Sequence, residues 1–113
     1  MTLLSGFGSL AAIPEEKITE KITRRVLAGQ KGMMVWWKIG AGTHVAAHSH
    51  PHEQITLVEK GRVRFVIGDT TRIAAAGDVL SFPSGVVHGA TILDAEVVLV
   101  DIFTPLREEF LKR

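Results

Sequence analysis

Three of the chain's five histidines fall within one run, His48-Ser49-His50-Pro51-His52-Glu53-Gln54. Imidazole nitrogens hold zinc, copper, iron and nickel, and an amide oxygen is an acceptable further ligand. There is no cysteine, so disulfides and thiolate metal sites are excluded, and any metal must rest on nitrogen and oxygen. Along an extended strand alternate side chains share a face. His48, His50 and Gln54 have one parity and converge on one side of a sheet if the strand runs on through Pro51. His52 shares that parity, but a bend at Pro51 leaves its direction open. Glu53 has the opposite parity and points away. In a closed barrel a distant strand can bring His88 opposite His50. His48, His50, Gln54 and His88 would then form a site for a divalent metal ion. The competing reading is a set of solvated histidines on a polar loop, which is the ordinary outcome for a lone His-x-His.

The elements that must position these side chains read as strands. Short β-branched runs occur at Met33–Ile39, at residues 55–59, 63–67 and 72–74, at Val79–Phe82 and at residues 97–103. Turn chemistry separates them at Gly40-Ala41-Gly42, Lys60-Gly61, Gly68-Asp69, Ala76-Gly77-Asp78 and Pro83-Ser84-Gly85. Gly68-Asp69 suits a tight hairpin between residues 63–67 and 70–73, because Gly supplies positive φ. Regularly spaced turns of this kind mark an antiparallel sandwich or barrel, an all-β fold. Residues 13–20, with their Pro-Glu-Glu start, read as a helical turn or a loop. Residues 106–112 read as a short C-terminal helix opened by Pro105, with Glu108 and Glu109 early and Lys112 late, as the helix dipole prefers.

The chain has 113 residues, enough for one compact domain with a single core. It is 46% hydrophobic and 22% charged, with a formal net charge of +1 at pH 7, so it lacks the overall basic footprint of a nucleic-acid binder. The apolar opening is broken by Gly6, Gly8 and Ser9 and has no basic start, and it reads as a mature N-terminus. No apolar run nears the roughly 20 residues that span a bilayer. The expectation is a soluble, cytoplasmic protein that contacts neither membrane nor nucleic acid.

Two spaced patterns occur in order. Gly42 is followed after five residues by His48-Ser49-His50, after three more by Gln54 and after six more by Gly61. Gly77 is followed after five residues by Pro83-Ser84-Gly85 and after two more by His88. They resemble the two signature motifs of the cupin superfamily. The resemblance covers about residues 33–103 and implies a double-stranded β-helix (jelly-roll) barrel, usually dimeric, with a metal inside. It places one cupin domain over residues 1–113. Two departures stand out: Gln54 replaces the usual Glu, and Ile92 stands where an Asn often ends the second motif.

The strings "HSHPHEQIT", "VVHG" and "DIFTPLREEFL" further resemble the KdgF family of small cupins in pectin degradation. That resemblance implies opening of 4,5-unsaturated uronates to linear 4-deoxy-5-keto uronates. It implies metal ligands at His48, His50, Gln54 and His88, and catalytic support from Asp101, Phe103 and Arg107. One divalent ion per subunit (nickel, zinc, manganese or iron) is expected. With neutral ligands only, the metal keeps its full charge as a Lewis acid for an acidic sugar. Arg107 can meet a carboxylate bidentately and bind substrate. Asp101 can move protons, since hydration of an enol ether followed by ring opening needs a proton delivered to carbon. Phe103 reads as substrate contact or core, and Asp101 and Arg107 also have plain readings as an ion pair and a solvated residue.

Other readings are a cupin dioxygenase, a metal-dependent sugar isomerase, a polyketide cyclase and a non-catalytic binding module. Of the neighbours Trp36 and Trp37 one faces inward. Met33 and Met34 read as core or interface filler, His44 as an exposed turn residue, and Glu53 as an orienting acceptor for a ligand or as interface. Residues 97–103 are apolar on both faces, so a second subunit is expected to cover one of them in a homodimer.

Overall fold

The structure, a computed structural model, describes residues 2–111. A two-residue period of burial shapes its strands. In β6 (Glu53–Lys60) the side chains of Gln54, Thr56 and Val58 are buried, while Ile55 and Leu57 face out. In β11 (Val97–Thr104) Val97, Leu99, Asp101 and Phe103 are buried and Ile102 is exposed. These two strands lie antiparallel near the centre of a seven-stranded sheet. Its order is β1 (Thr2–Leu3), β3 (Ile22–Ala28), β4 (Met33–Ile39), β11, β6 and β9 (Val79–Phe82), with β2 (Glu16–Thr19) also paired to β3. A four-stranded sheet runs β5 (His44–His48), β10 (His88–Ile92), β7 (Arg62–Ile67) and β8 (Thr70–Ala75).

The core lies between the two sheets. Ile39, Val58, Phe82, Val97 and Leu99 come from the larger sheet and meet Val63, Phe65, Ala74 and Ile92 of the smaller one. Burial of each of these side chains but the small Ala74 is worth about 1.5–3 kcal/mol. A second cluster of Val26, Ala28, Met33, Val35 and Phe103 packs against Leu106, Phe110 and Leu111, so the C-terminal segment straps one end of the barrel.

The all-β jelly-roll expectation is met, and the strands read at Met33–Ile39 and Val79–Phe82 agree with the sequence. The hairpin across Gly68-Asp69 is present, with Ile67 opposite Thr70. The C-terminal helix is reduced to one 3₁₀ turn, Glu108–Phe110. Seven residues are too few for a helix to hold itself, and Phe110 is instead drawn onto Trp37 and Phe103, at centroid distances of 5.8 and 5.7 Å. Lys112 and Arg113 lie outside the described residues. The expected helical turn or loop at residues 13–20 contains a strand, Glu16–Thr19. It is held at the sheet edge by pairing with β3 and by the Arg24–Glu16 ion pair at 2.9 Å. His44 is exposed as expected but opens β5 rather than sitting in a turn.

Candidate metal centre

The chain leaves the smaller sheet at His48 and enters the larger one at Glu53. His48 and Gln54 therefore meet across the gap between sheets, not along one strand continuing through Pro51. His88 opens β10 directly opposite His48. Ring centroids lie 4.5 Å apart for His48 and His88, 4.8 Å for His50 and His88, and 5.7 Å for His48 and His50. One ligand atom from each of the three falls within 4.8 Å of the others. Gly89 permits this approach: a Cβ there would stand 3.0 Å from the Val45 carbonyl oxygen and 3.2 Å from Ala47 backbone.

The second motif also braces the first. Gly85, at φ +78 where a Cβ would be strained, turns its N–H onto the His50 carbonyl at 2.9 Å. The Ser84 hydroxyl donates to the Pro51 carbonyl at 2.6 Å. The loop carrying His50 is thus pinned by the turn that leads to His88.

Protonation follows from the partners. Nδ1 of His48 faces the Ala46 carbonyl at 2.9 Å, Nδ1 of His50 faces the His52 carbonyl at 3.0 Å, and Nδ1 of His88 faces the Val86 carbonyl at 3.0 Å. A carbonyl only accepts, so each Nδ1 carries hydrogen, which in a neutral ring leaves Nε2 bare. Burial pushes His50 and His88 below the usual imidazole range, and the charge of Arg107 adds to the effect at both. They are neutral near pH 7.

Nε2 of His88 is buried with no hydrogen-bond partner among the described residues. Nε2 of His50 lies 3.2 Å from Oε1 of Gln54. Gln54 has its amide nitrogen on the Thr56 hydroxyl at 3.0 Å, so the oxygen is the end that faces His50. Two acceptors facing each other, beside an orphaned third, fit a cation held by three imidazoles and one amide oxygen.

This centre forms part of the wall of a cavity of about 280 Å³ that is also lined by Trp37, Asp101, Phe103, Arg107 and Phe110. Asp101 stands opposite Thr56 in the β11–β6 register. It accepts from the Thr56 hydroxyl at 2.6 Å and from the Trp37 indole N–H at 3.0 Å. Burial still pushes its carboxyl up to about 6, against the lowering pull of those bonds. Arg107 stacks over Phe103 and Phe110, 5.2 and 4.4 Å from the ring centroids. Its Nε donates to Glu109 at 3.2 Å, a bond that holds the Glu109 carboxyl below its usual range. Phe103 is fully buried in the core and edges onto the His50 ring at 5.8 Å.

His52 turns away from the cluster, with Nε2 on the Leu106 carbonyl at 3.1 Å, and so ties the loop to the C-terminal strap. Glu53 is exposed. The orienting acceptors are backbone carbonyls instead, because the tight loop brings them nearer than any side chain. Trp37 is the inward member of its pair and Met33 is core. Reading for ligands alone passed over Thr56, the bond from Trp37 to Asp101, and Phe110. Thr56 shares the parity of Gln54, and that signal was available in the sequence.

Comparison with known proteins agrees with this geometry. A Cupin_2 family profile, described as a cupin domain, matches residues 35–103. The pectin degradation protein KdgF of Dickeya dadantii (strain 3937) is 32% identical over 100 residues, 87% of this chain and 91% of that protein. Among solved structures, an RmlC-like cupin from Shewanella frigidimarina NCIMB 400 superposes with a TM-score of 0.87 at 27% identity, covering 95% of this chain and 96% of the other. KdgF from Halomonas sp. superposes with a TM-score of 0.85 at 25% identity, covering 93% and 99%. With both motifs, a two-sheet barrel and these relatives in hand, the chain belongs to the Cupin_2 family of cupins and is a relative of the KdgF proteins.

Proposed function

We propose that this cupin opens 4,5-unsaturated uronates to linear 4-deoxy-5-keto uronates, using one divalent transition metal held by His48, His50, Gln54 and His88. The observation that carries the reading is the company the ligand cluster keeps. A neutral donor set shares one cavity with a buried acid, Asp101, and a guanidinium, Arg107.

The metal, when bound, supplies Lewis acidity toward sugar oxygens. The conversion is an isomerisation: the bond from C1 to the ring oxygen breaks, that oxygen becomes the C5 ketone, the C1 hydroxyl loses a proton and C4 gains one. Asp101 is the group placed to hold and move that proton, because burial keeps its carboxyl protonatable near neutrality. Arg107 receives the substrate carboxylate, with its guanidinium pre-oriented on Phe103 and Phe110. Phe103 and Trp37 give the sugar ring an apolar wall.

The chain acts as a single cupin unit and pairs as a homodimer through the outer face of the larger sheet. There Ile55, Leu57, Val79 and Ile102 are 38–70% exposed side by side. The test of activity is incubation of the purified protein with an unsaturated uronate while following the ultraviolet absorbance of the conjugated enol-ether acid. Loss of that absorbance supports the proposal. Oxygen consumption in its place would point to a dioxygenase.

A further inference from the structure

The hydrogen-bond chain behind Gln54 has a direction, and that direction explains the amide. Trp37 Nε1–H can only donate, and it occupies Oδ2 of Asp101 at 3.0 Å. The Thr56 hydroxyl donates its single hydrogen to Oδ1 at 2.6 Å. With that hydrogen committed, the Thr56 oxygen can only accept, and the Gln54 amide nitrogen donates to it at 3.0 Å. Thr56 is 1% exposed, so no solvent can replace either partner. A flipped amide would set its oxygen against the Thr56 oxygen and turn its N–H₂ toward the bare Nε2 of His50. A glutamate at position 54 would likewise face Thr56 with an acceptor, and would bring a second carboxylate beside Asp101.

We infer that Thr56 is a positioning residue that holds the amide oxygen of Gln54 on the metal, and that the Thr56–Asp101 pair is what selects glutamine over glutamate at position 54. This rests on Gln54 being a ligand, and not on the uronate reaction. Partners of this kind typically contribute about 10–100-fold in metal affinity.

The experiment uses the full chain, stripped of metal and titrated with cobalt(II), whose visible spectrum reports the ligand set. Thr56→Val should weaken cobalt affinity about 10–100-fold and alter the visible bands, while Thr56→Ser should keep both at wild-type values. In a Gln54→Glu background Thr56→Val should cost little, because a carboxylate presents an oxygen to the metal whichever way it turns. Should the valine variant not fold, Thr56→Ala takes its place in the same comparison. Wild-type affinity and spectrum in a folded Thr56→Val protein would overturn the inference. So would an equal loss in both backgrounds, which marks a merely structural role. A wild-type chain that binds no cobalt would overturn the ligand assignment beneath it.

Discussion

At the scale of the residue, His88 is the most telling member of the cluster. Its Nε2 is buried without a hydrogen-bond partner among the described residues, an arrangement that costs stability unless a donor or a cation engages the free lone pair. His88→Ala should therefore remove metal by more than the loss of an orienting partner does, at least about 100-fold, with little loss of stability in the metal-free protein. Metal analysis after dialysis checks this, and retained stoichiometric metal would contradict it. Asp101 gives a second prediction. Its carboxyl rises from 3.8 to about 6 on folding, so the native state binds this proton more tightly than the unfolded chain. Stability from this group is then lost as pH rises through that window, by roughly 3 kcal/mol once ionisation is complete. Asp101→Asn removes the titration. In metal-free denaturant unfolding, the stability of wild type relative to Asp101→Asn should fall by about that amount between about pH 4 and pH 7. A difference that does not change with pH would contradict the burial argument.

At the scale of the element, the site depends on how closely β5 approaches β10. Gly89 leaves room for the Val45 carbonyl, and its Cβ would stand at 3.0 Å. Gly89→Ala should push β5 outward and cost about 1–3 kcal/mol in unfolding experiments. It should also weaken metal binding, because His48 rides on the displaced strand. Unchanged affinity would mean that β5 adapts without moving its histidine.

The sequence disclosed these elements unevenly, for physical reasons. β4 and β9 were legible because their β-branched and aromatic runs end in glycine and proline turns. β5 gives little strand signal: it consists of His-Val-Ala-Ala-His, with little apolar contrast and Val45 as its one strong strand former. β10 begins at a candidate ligand, His88, and carries a glycine. β2 and β3 were missed because β3 is half-buried along most of its length and shows no clean alternation. The candidate set, of which the structure gathers His48, His50 and His88, was legible from spacing. Its route was not, because parity assumed one strand where the chain changes sheets at Pro51. The relay from Gln54 to Asp101 needed the register of β6 against β11, which no single strand reveals.

At the scale of the whole molecule, the larger sheet leaves an apolar outer face in water. Ile55 lies opposite Ile102 on β11, and Leu57 lies opposite Val79 on β9. Val79 is 70% exposed. If a second copy covers this face, the protein sediments as a dimer at micromolar concentration, and the double substitution Val79→Lys, Ile102→Lys gives a folded monomer. A wild-type monomer would contradict the assembly while leaving the metal centre untouched. Arg107 and Phe110 of the C-terminal strap stack on each other in the cavity wall, and His52 ties its loop to the same strap through the Leu106 carbonyl. Activity and the C-terminal segment should therefore fail together.

If the metal cluster performs chemistry on an acidic sugar, turnover needs both the metal and Asp101. The most direct test is product analysis by NMR of an unsaturated uronate incubated with three samples: metal-stripped protein, the same protein reloaded with a divalent transition metal, and reloaded Asp101→Asn. A linear 4-deoxy-5-keto uronate should form well above the spontaneous rate with the reloaded wild-type protein alone. Equal, background conversion in all three samples would contradict this.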